Sequence, residues 1–274
     1  MTGCRARPGF RRRAAILAPL ALACVPTFAG SMAAQDTTLA IPVILSLPTS
    51  VRQAGLAGAN VAVIGDAGSV FSNPAGLAIV KRLSIETAFS YYPDRTVQTA
   101  GAAALRVGPF DFGVGANYLR FSDTSSVRDN LVWVGSMVYR KGLIAIGGTA
   151  KYVSLEDTTG RISRAITSDA GLAIAVFDIS ALAFSIQNIS NDAISGAPLL
   201  LPTQYHLGFT QNFSDPQTTL RLMGTVEVVW TGKQARRTLL GFESGVVLGG
   251  VGLVARVGYG AQPALSEQKR FVYG

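Results

Sequence analysis

The chain holds one histidine, His206, and two cysteines, Cys4 and Cys24. A serine hydrolase needs an imidazole beside its nucleophile and a carboxylate behind the imidazole. His206 is the only candidate base. It sits among Gln204 and Thr210, and nothing in the sequence places an activated serine near it. No catalytic residue is assigned and no enzymatic activity is expected. One histidine and two cysteines fall short of a zinc site, so no metal or cofactor is expected. Gly55-Leu56-Ala57-Gly58 lacks the Lys-Ser/Thr pair and the strand–loop–helix setting of a nucleotide loop. The sequons at Asn188 and Asn212 read as chance. What remains are charges. Glu86, Asp169, Glu227 and Glu243 stand against Arg106, Lys151, Arg221 and Arg256, each on the polar side of an alternating stretch, with His206 among them. An Arg or Lys facing lipid at mid-depth costs roughly 2–4 kcal/mol. These residues are therefore expected to line a lumen, paired with one another or bordering a substrate path.

The elements that must carry these charges are short. No run of 18 or more apolar residues lies beyond the N-terminus, so membrane helices are not expected. With 49% apolar residues, disorder is not expected either. From Leu83 onward, period-two alternation predicts strands over 83–92, 96–107, 112–121, 130–140, 143–155, 166–176, 181–188, 203–213, 218–230, 237–247 and 251–260, with 271–274 opening another. In 218–230, Leu220, Leu222, Val226, Val228 and Trp230 oppose Arg221, Thr225 and Glu227. In 203–213, Tyr205, Leu207, Phe209 and Phe213 oppose Gln204, His206, Thr210 and Asn212. After the first connection, longer loops alternate with tight turns such as Lys141-Gly142, an asymmetry of outer-membrane barrels. A Greek-key sandwich has no such strict alternation. Tyr91, Phe112, Tyr118, Trp133, Tyr139, Tyr152, Phe213, Trp230 and Tyr259 lie near strand ends on the apolar side, where a membrane–water interface holds aromatic rings. The fold expected is all-β, a transmembrane antiparallel outer-membrane β-barrel over 83–274.

The N-terminus reads as a targeting segment. Arg5, Arg7, Arg11, Arg12 and Arg13 precede the apolar stretch Ala14–Val25, and small residues come after it, so 1–34 is read as a signal peptide cleaved near Ala33 or Ala34. Both cysteines fall within it. A rival reading takes Leu20-Ala21-Leu22-Ala23-Cys24 as a lipobox that would tether the chain by acyl groups. From Gln35 onward 19 basic residues face 16 acidic ones. The basic balance of the whole chain is thus no sign of nucleic-acid binding.

Residues 35–82 differ from the strand-rich region beyond them. They are small and glycine-dotted, yet carry Val61, Val63, Phe71, Leu77 and Ile79, which an exposed linker would not need. A hatch or plug segment is expected, in which Arg52 and Asp66 are the charges of an otherwise small and apolar stretch. The string Arg52, Gly55-Leu56-Ala57-Gly58-Ala59, Asp66-Ala67, Phe71 and Asn73-Pro74-Ala75-Gly76-Leu77 resembles the N-terminal signature of the PorV/PorQ proteins, a group related to the FadL outer-membrane transporters for hydrophobic compounds. The resemblance is close over about thirty residues and rests on strand pattern elsewhere. It implies a 14-stranded barrel with Arg52, Gly55, Gly58, Asp66, Asn73, Pro74 and Gly76 in a hatch, as structural or gating residues.

The function expected of such a barrel is transport or protein secretion across the outer membrane of a Gram-negative-type bacterium. Partners would be outer-membrane lipid and either secretion-system components or hydrophobic small molecules. The alternatives are a FadL-like channel for hydrophobic molecules and, from another class, a soluble secreted β-sandwich that binds. Arg52 and Asp66 are expected to anchor the hatch to lumen charges, Glu86 or Arg106 among the candidates, because a buried charge needs a partner. Residues 271–274 supply only four residues of a twelfth strand, where about 9–11 are needed to cross. About 11–12 strands are therefore expected here, in a barrel C-terminally incomplete against the family's 14.

Overall fold

The computed structural model describes residues 42–122, 127–157, 159–176, 179–190, 192–196, 199, 201–214, 219–231, 236–248, 251–261 and 271–273. The expected signal peptide, the lipobox and residues 35–41 lie outside them. Two short helices, α1 (Val43–Ser46) and α2 (Val51–Gly55), and two 3₁₀ helices, Ala67–Phe71 and Pro74–Ile79, come first. Thirteen strands come after them: β1 (Leu83–Tyr91), β2 (Val97–Val107), β3 (Phe110–Ser122), β4 (Val127–Lys141), β5 (Ile144–Glu156), β6 (Ile162–Val176), β7 (Ser180–Gln187), β8 (Asp192–Ser195), β9 (Gln204–Ser214), β10 (Leu220–Thr231), β11 (Arg237–Leu248), β12 (Val251–Ala261) and β13 (Phe271–Tyr273). None of the described helices is long and apolar enough to cross a membrane.

The strands form one antiparallel sheet in chain order, from β1 to β7 and then from β9 to β13. Only β8 leaves this path, pairing with β6 at Arg164, Ala165 and Ile166. The sequence expectation of a plain connection from Ile189 to Pro202 is corrected there. Its Asp192-Ala193-Ile194-Ser195 is too short to show a period, and its pairing is nonlocal. A single sheet of neighbouring hairpins is not a sandwich of Greek keys, so the soluble-sandwich alternative is set aside. Among the described residues β1 and β13 do not pair with each other. At Gly108 and Gly142 the tight turns need a positive φ, +61° and +62°, which glycine adopts without penalty.

Period-two geometry gives the sheet two faces. The outer face is apolar and exposed: Ile85, Phe89, Val114, Trp133, Ile146 and Leu253 are each more than half exposed. All nine aromatics expected at strand ends have the parity of this face. Tyr205 and Trp230, cross-strand neighbours on it, stack with ring centres 5.9 Å apart. The inner face curls around residues 42–80, and the main buried cluster lies between the two. It joins Ile44, Val61, Val70, Leu77 and Val80 of the segment to Ala102, Ala104, Leu119, Val132, Val138 and Val153 of the wall. An ordinary β-protein buries one sheet face on another. Here the sheet buries its inner face on a short irregular segment and leaves large side chains outside.

Candidate functional site

The hatch is built from local rules. Ser50 begins α2 by accepting a hydrogen bond from Gln53 N at 3.1 Å. The helix ends as Gly58 N donates to Gln53 O at 2.9 Å, with Ala57 at φ +54° and Gly58 at φ +89°, a Schellman closure. A side chain at Gly55 would stand 2.9 Å from Arg256 Cβ, so only glycine lets α2 lie on the stem of that arginine. Asn73 is fully buried and works twice. Its Oδ1 accepts from Ala75 N at 3.1 Å, capping the 3₁₀ helix that Pro74 opens, and its Nδ2 donates to Val61 O at 2.9 Å. Gly76 O accepts from Gly65 N at 2.8 Å, and a Cβ on Gly76 would come 2.8 Å from Ser69 Cβ. The residues that carry the family resemblance therefore fold the hatch. Asn73→Ala is expected to cost about 2 kcal/mol, from the lost cap and the orphaned Val61 carbonyl. Faster amide exchange over 61–79, with the wall strands unchanged, is the expected readout.

Charge fastens the hatch to the wall. Arg52 on α2 donates from Nε and Nη2 to Glu243 on β11, at 2.9 and 3.1 Å, and from Nη1 to Asp66 at 2.6 Å. Its Nη2 also contacts Met223 Sδ at 3.2 Å. Arg256 on β12 donates from Nε to the same Glu243 at 2.7 Å. Burial opposes the charge on Arg52, but Asp66 and Glu243 outweigh it and hold the guanidinium pKa above its ordinary value. Arg52 does reach a lumen charge as expected, but it is Glu243 and not Glu86 or Arg106, and Asp66 pairs with Arg52 instead of with the wall. Cross-sheet partners are invisible to sequence because the hatch's path through the lumen sets them. Glu86 and Arg106 do hold the hatch, but by its backbone. Glu86 accepts from Gly68 N at 3.0 Å, and Arg106 donates to Ala78 O at 3.0 Å while standing 3.5 Å from buried Asp111.

The other expected lumen residues are also on the inner face. Glu227 accepts from Asn60 N and Val61 N at 2.7 and 2.9 Å and lies 2.7 Å from His206 Nδ1. Lys151 pairs with Asp169 at 2.8 Å, and Asn188 is bound to both, its Oδ1 by Lys151 and its N by Asp169. That cluster ties down the chain leaving β7. Arg221 differs: it is exposed at the start of β10, and its side chain joins no network among the described residues. Several wall residues that hold the hatch carry no mark in the sequence beyond inward parity. Gln98 donates to Pro48 O, Asn117 to Ile44 O, and Ser185 and Gln187 both to Ser72 O, at 2.7–3.2 Å. Inward glycines form the seat. Side chains at Gly113 and Gly115 would strike Val70 and Phe71, and one at Gly171 would strike Asn73 and Pro74.

Cavities open beside the hatch at both of its ends. One, of about 510 Å³, opens at the tight-turn end between the hatch and the adjoining ends of β6, β7, β9 and β10. The other, of about 310 Å³, lies at the long-loop end, bordered by Pro42, Val43, Phe121 and Leu199. The hatch thus runs between the two ends of the lumen. Ile79, expected to be packed, is 45% exposed and lines the larger cavity.

No family model matches the chain, and no curated protein matches it. Among solved structures, the Pseudomonas putida toluene transporter TodX is similar at TM-score 0.54 and 11% identity, over 77% of this chain and 83% of that one. A TodX deltaS2S3 mutant, a monoaromatic hydrocarbon channel, gives 0.44 at 12% identity over 73% and 80%, too distant to carry weight. The fold is that of an outer-membrane β-barrel. This agrees with the barrel fold that the sequence resemblance implies. The PorV/PorQ assignment has no counterpart in these comparisons.

Proposed function

We propose that the chain is an outer-membrane protein through which small hydrophobic molecules pass, with residues 42–82 acting as a hatch across the lumen and residues 1–34 as its export signal. The observation that carries this reading is the lumen itself. It is filled by a segment that wall side chains hold by its backbone, and a cavity of about 510 Å³ with both apolar and polar lining opens beside that segment. TodX, which shares the fold, is described as a toluene transporter. Cells expressing the chain should take up a monoaromatic hydrocarbon several times faster than cells lacking it. Equal rates would refute the reading. Membrane residence has its own test. Val114, 61% exposed near the middle of β3, should lose roughly 2–4 kcal/mol on replacement by Arg when the protein is unfolded from lipid.

A second reading, service in protein secretion, rests on the PorV/PorQ likeness of residues 52–77. It predicts that deleting the gene blocks release of cargo proteins while leaving hydrocarbon uptake unchanged. Catalysis is not proposed. Ser185 stands opposite His206 in the ladder, but its hydroxyl donates to Ser72 O, and the imidazole is engaged by Glu227.

A further inference from the structure

We infer that the tight-turn rim of β1–β5 binds the headgroup of an anionic phospholipid from the periplasmic leaflet, the side on which such barrels keep their short turns. This goes beyond transport and rests only on membrane residence, which the Val114→Arg variant tests separately. The rim is made by residues 80–82, 108–109 and 142–143, all of them described, and by the strand ends they join. It carries a level row of cations. Arg106 N donates to Arg82 O at 2.9 Å, Arg106 stands opposite Asp111, and Arg140 N donates to Pro109 O at 3.0 Å. Lys81 precedes Arg82 and Lys141 comes after Arg140, which brings the row to five cations. Asp111 is the one acidic residue of this rim among the described residues. It is buried, 3.5 Å from Arg106 Nε, and also feels Arg140. Lys81, Arg82 and Lys141 are exposed, and their side chains make no hydrogen bond or ion pair among the described residues.

The long-loop ends of the same strands have no such excess. Asp94, Asp129, Glu156 and Asp157 stand there among Arg95, Arg120, Arg128 and Arg161. An apolar shelf lies beside the cationic rim on the outer face. Phe110 has Phe112 and Tyr139 beside it, with ring centres 6.4 and 5.4 Å away. Leu83, Val107 and Ile144 flank them, 47–62% exposed. Aromatic rings at this level mark the membrane–water interface. Lys141 comes two residues after Tyr139 and shares its outward parity, so β4 presents first a surface for acyl chains and then a charge for phosphate. A zwitterionic lipid would cover the shelf and leave the cations without net counter-charge. A soluble acidic partner would answer the cations and leave the shelf unused. An anionic glycerophospholipid answers both, and a guanidinium fork matches phosphate oxygens. Each cation beside an anionic surface is worth about fivefold in affinity.

Native mass spectrometry of the full chain, released from neutral detergent after incubation with phosphatidylglycerol or phosphatidylcholine, tests this by counting retained lipid. The wild-type protein should retain phosphatidylglycerol saturably and well above phosphatidylcholine, with the preference shrinking as salt is raised. The triple variant Lys81→Gln, Arg82→Gln, Lys141→Gln should bind phosphatidylglycerol at least about tenfold more weakly. Lys81→Arg with Lys141→Arg should keep the preference, and so should Arg120→Gln with Arg161→Gln at the opposite rim. Equal retention of the two lipids by the wild type, or an undiminished preference in the triple Gln variant, would overturn the inference. So would an equal loss in the opposite-rim variant. Retention of polyglutamate in place of phosphatidylglycerol would give the rim to a soluble acidic partner and overturn it as well. Membrane residence fails separately. An undiminished stability of Val114→Arg in lipid would refute residence, whereas equal lipid counts beside a destabilised Val114→Arg would refute the rim site alone.

Discussion

Replacing Glu243 by alanine should release the hatch. The carboxylate is nearly buried on β11 and holds two guanidiniums, Arg52 from the hatch and Arg256 from the wall. Without it the two cations face each other across the place where Gly55 rests on the Arg256 stem. Breaking a buried ion pair from one side costs about 3–5 kcal/mol. The arginines keep 14% and 20% side-chain exposure, which puts this loss at the lower end. The variant should admit small sugars in a liposome-swelling assay that the wild-type protein excludes. Asp66→Ala should do far less, because the Asp66 side chain is 41% exposed and exposed pairs contribute about 0–1 kcal/mol. A tight Glu243→Ala protein beside a leaky Asp66→Ala protein would show that the latch is elsewhere.

Gly171→Val should be as disruptive by a different route. A Cβ there would overlap Asn73 Oδ1 and stand 2.9 Å from Pro74 Cδ. Gly147 faces Gly171 across the ladder, and a Cβ on it would come 3.0 Å from Pro74 Cβ, so the two glycines seat one turn of the hatch. Strands hydrogen-bonded on both sides yield little, and the hatch must move instead. Overpacking a filled interior typically costs about 1–3 kcal/mol. That loss should appear as protease sensitivity of residues 60–80 and as sugar permeation. Gly135→Val on β4 is the control, since nothing lies within 4 Å of its Cβ position. Equal behaviour of the two variants would show that these glycines do not seat the hatch.

The strands were legible because lipid and lumen impose opposite demands on alternate residues. Predicted and observed ends agree closely over most of the chain, from 83–92 against Leu83–Tyr91 to 251–260 against Val251–Ala261. The misses lie where one demand is relaxed. β6 begins at Ile162 rather than 166, and β4 at Val127 rather than 130. Ser163, Arg164, Arg128 and Asp129 extend the ladder at the long-loop ends, where apolar residues are not required. In β2 the inward residues Ala100, Ala102 and Ala104 are apolar because they meet the hatch and not water. The charged lumen residues could be named from parity, but their partners could not. Pairing Arg52 with Glu243 takes the three-dimensional course of a segment with almost no periodicity. The glycine seat was in principle visible as glycines of inward parity at 113, 115, 147 and 171, but the reason for them lies in the hatch they accommodate.

The way the hatch satisfies its backbone bears on assembly. Pro48 O, Ser72 O and Ala78 O accept hydrogen bonds from wall side chains, and the amides of Asn60, Val61 and Gly68 donate to wall carboxylates. A peptide whose polar groups are completed by another element has no native state of its own, and in water those groups are taken up by solvent. This segment, made before the strands, is therefore among the last parts of the chain to become ordered. It behaves as a tethered guest that waits for its host, and the host in turn has gaps at Gly113, Gly115 and Gly171 until the guest arrives. Binding and folding are one event for this segment. A synthetic peptide of residues 42–82 should be unstructured alone and acquire order only on meeting a wall prepared without it, restoring in trans the closure that covalent linkage normally supplies.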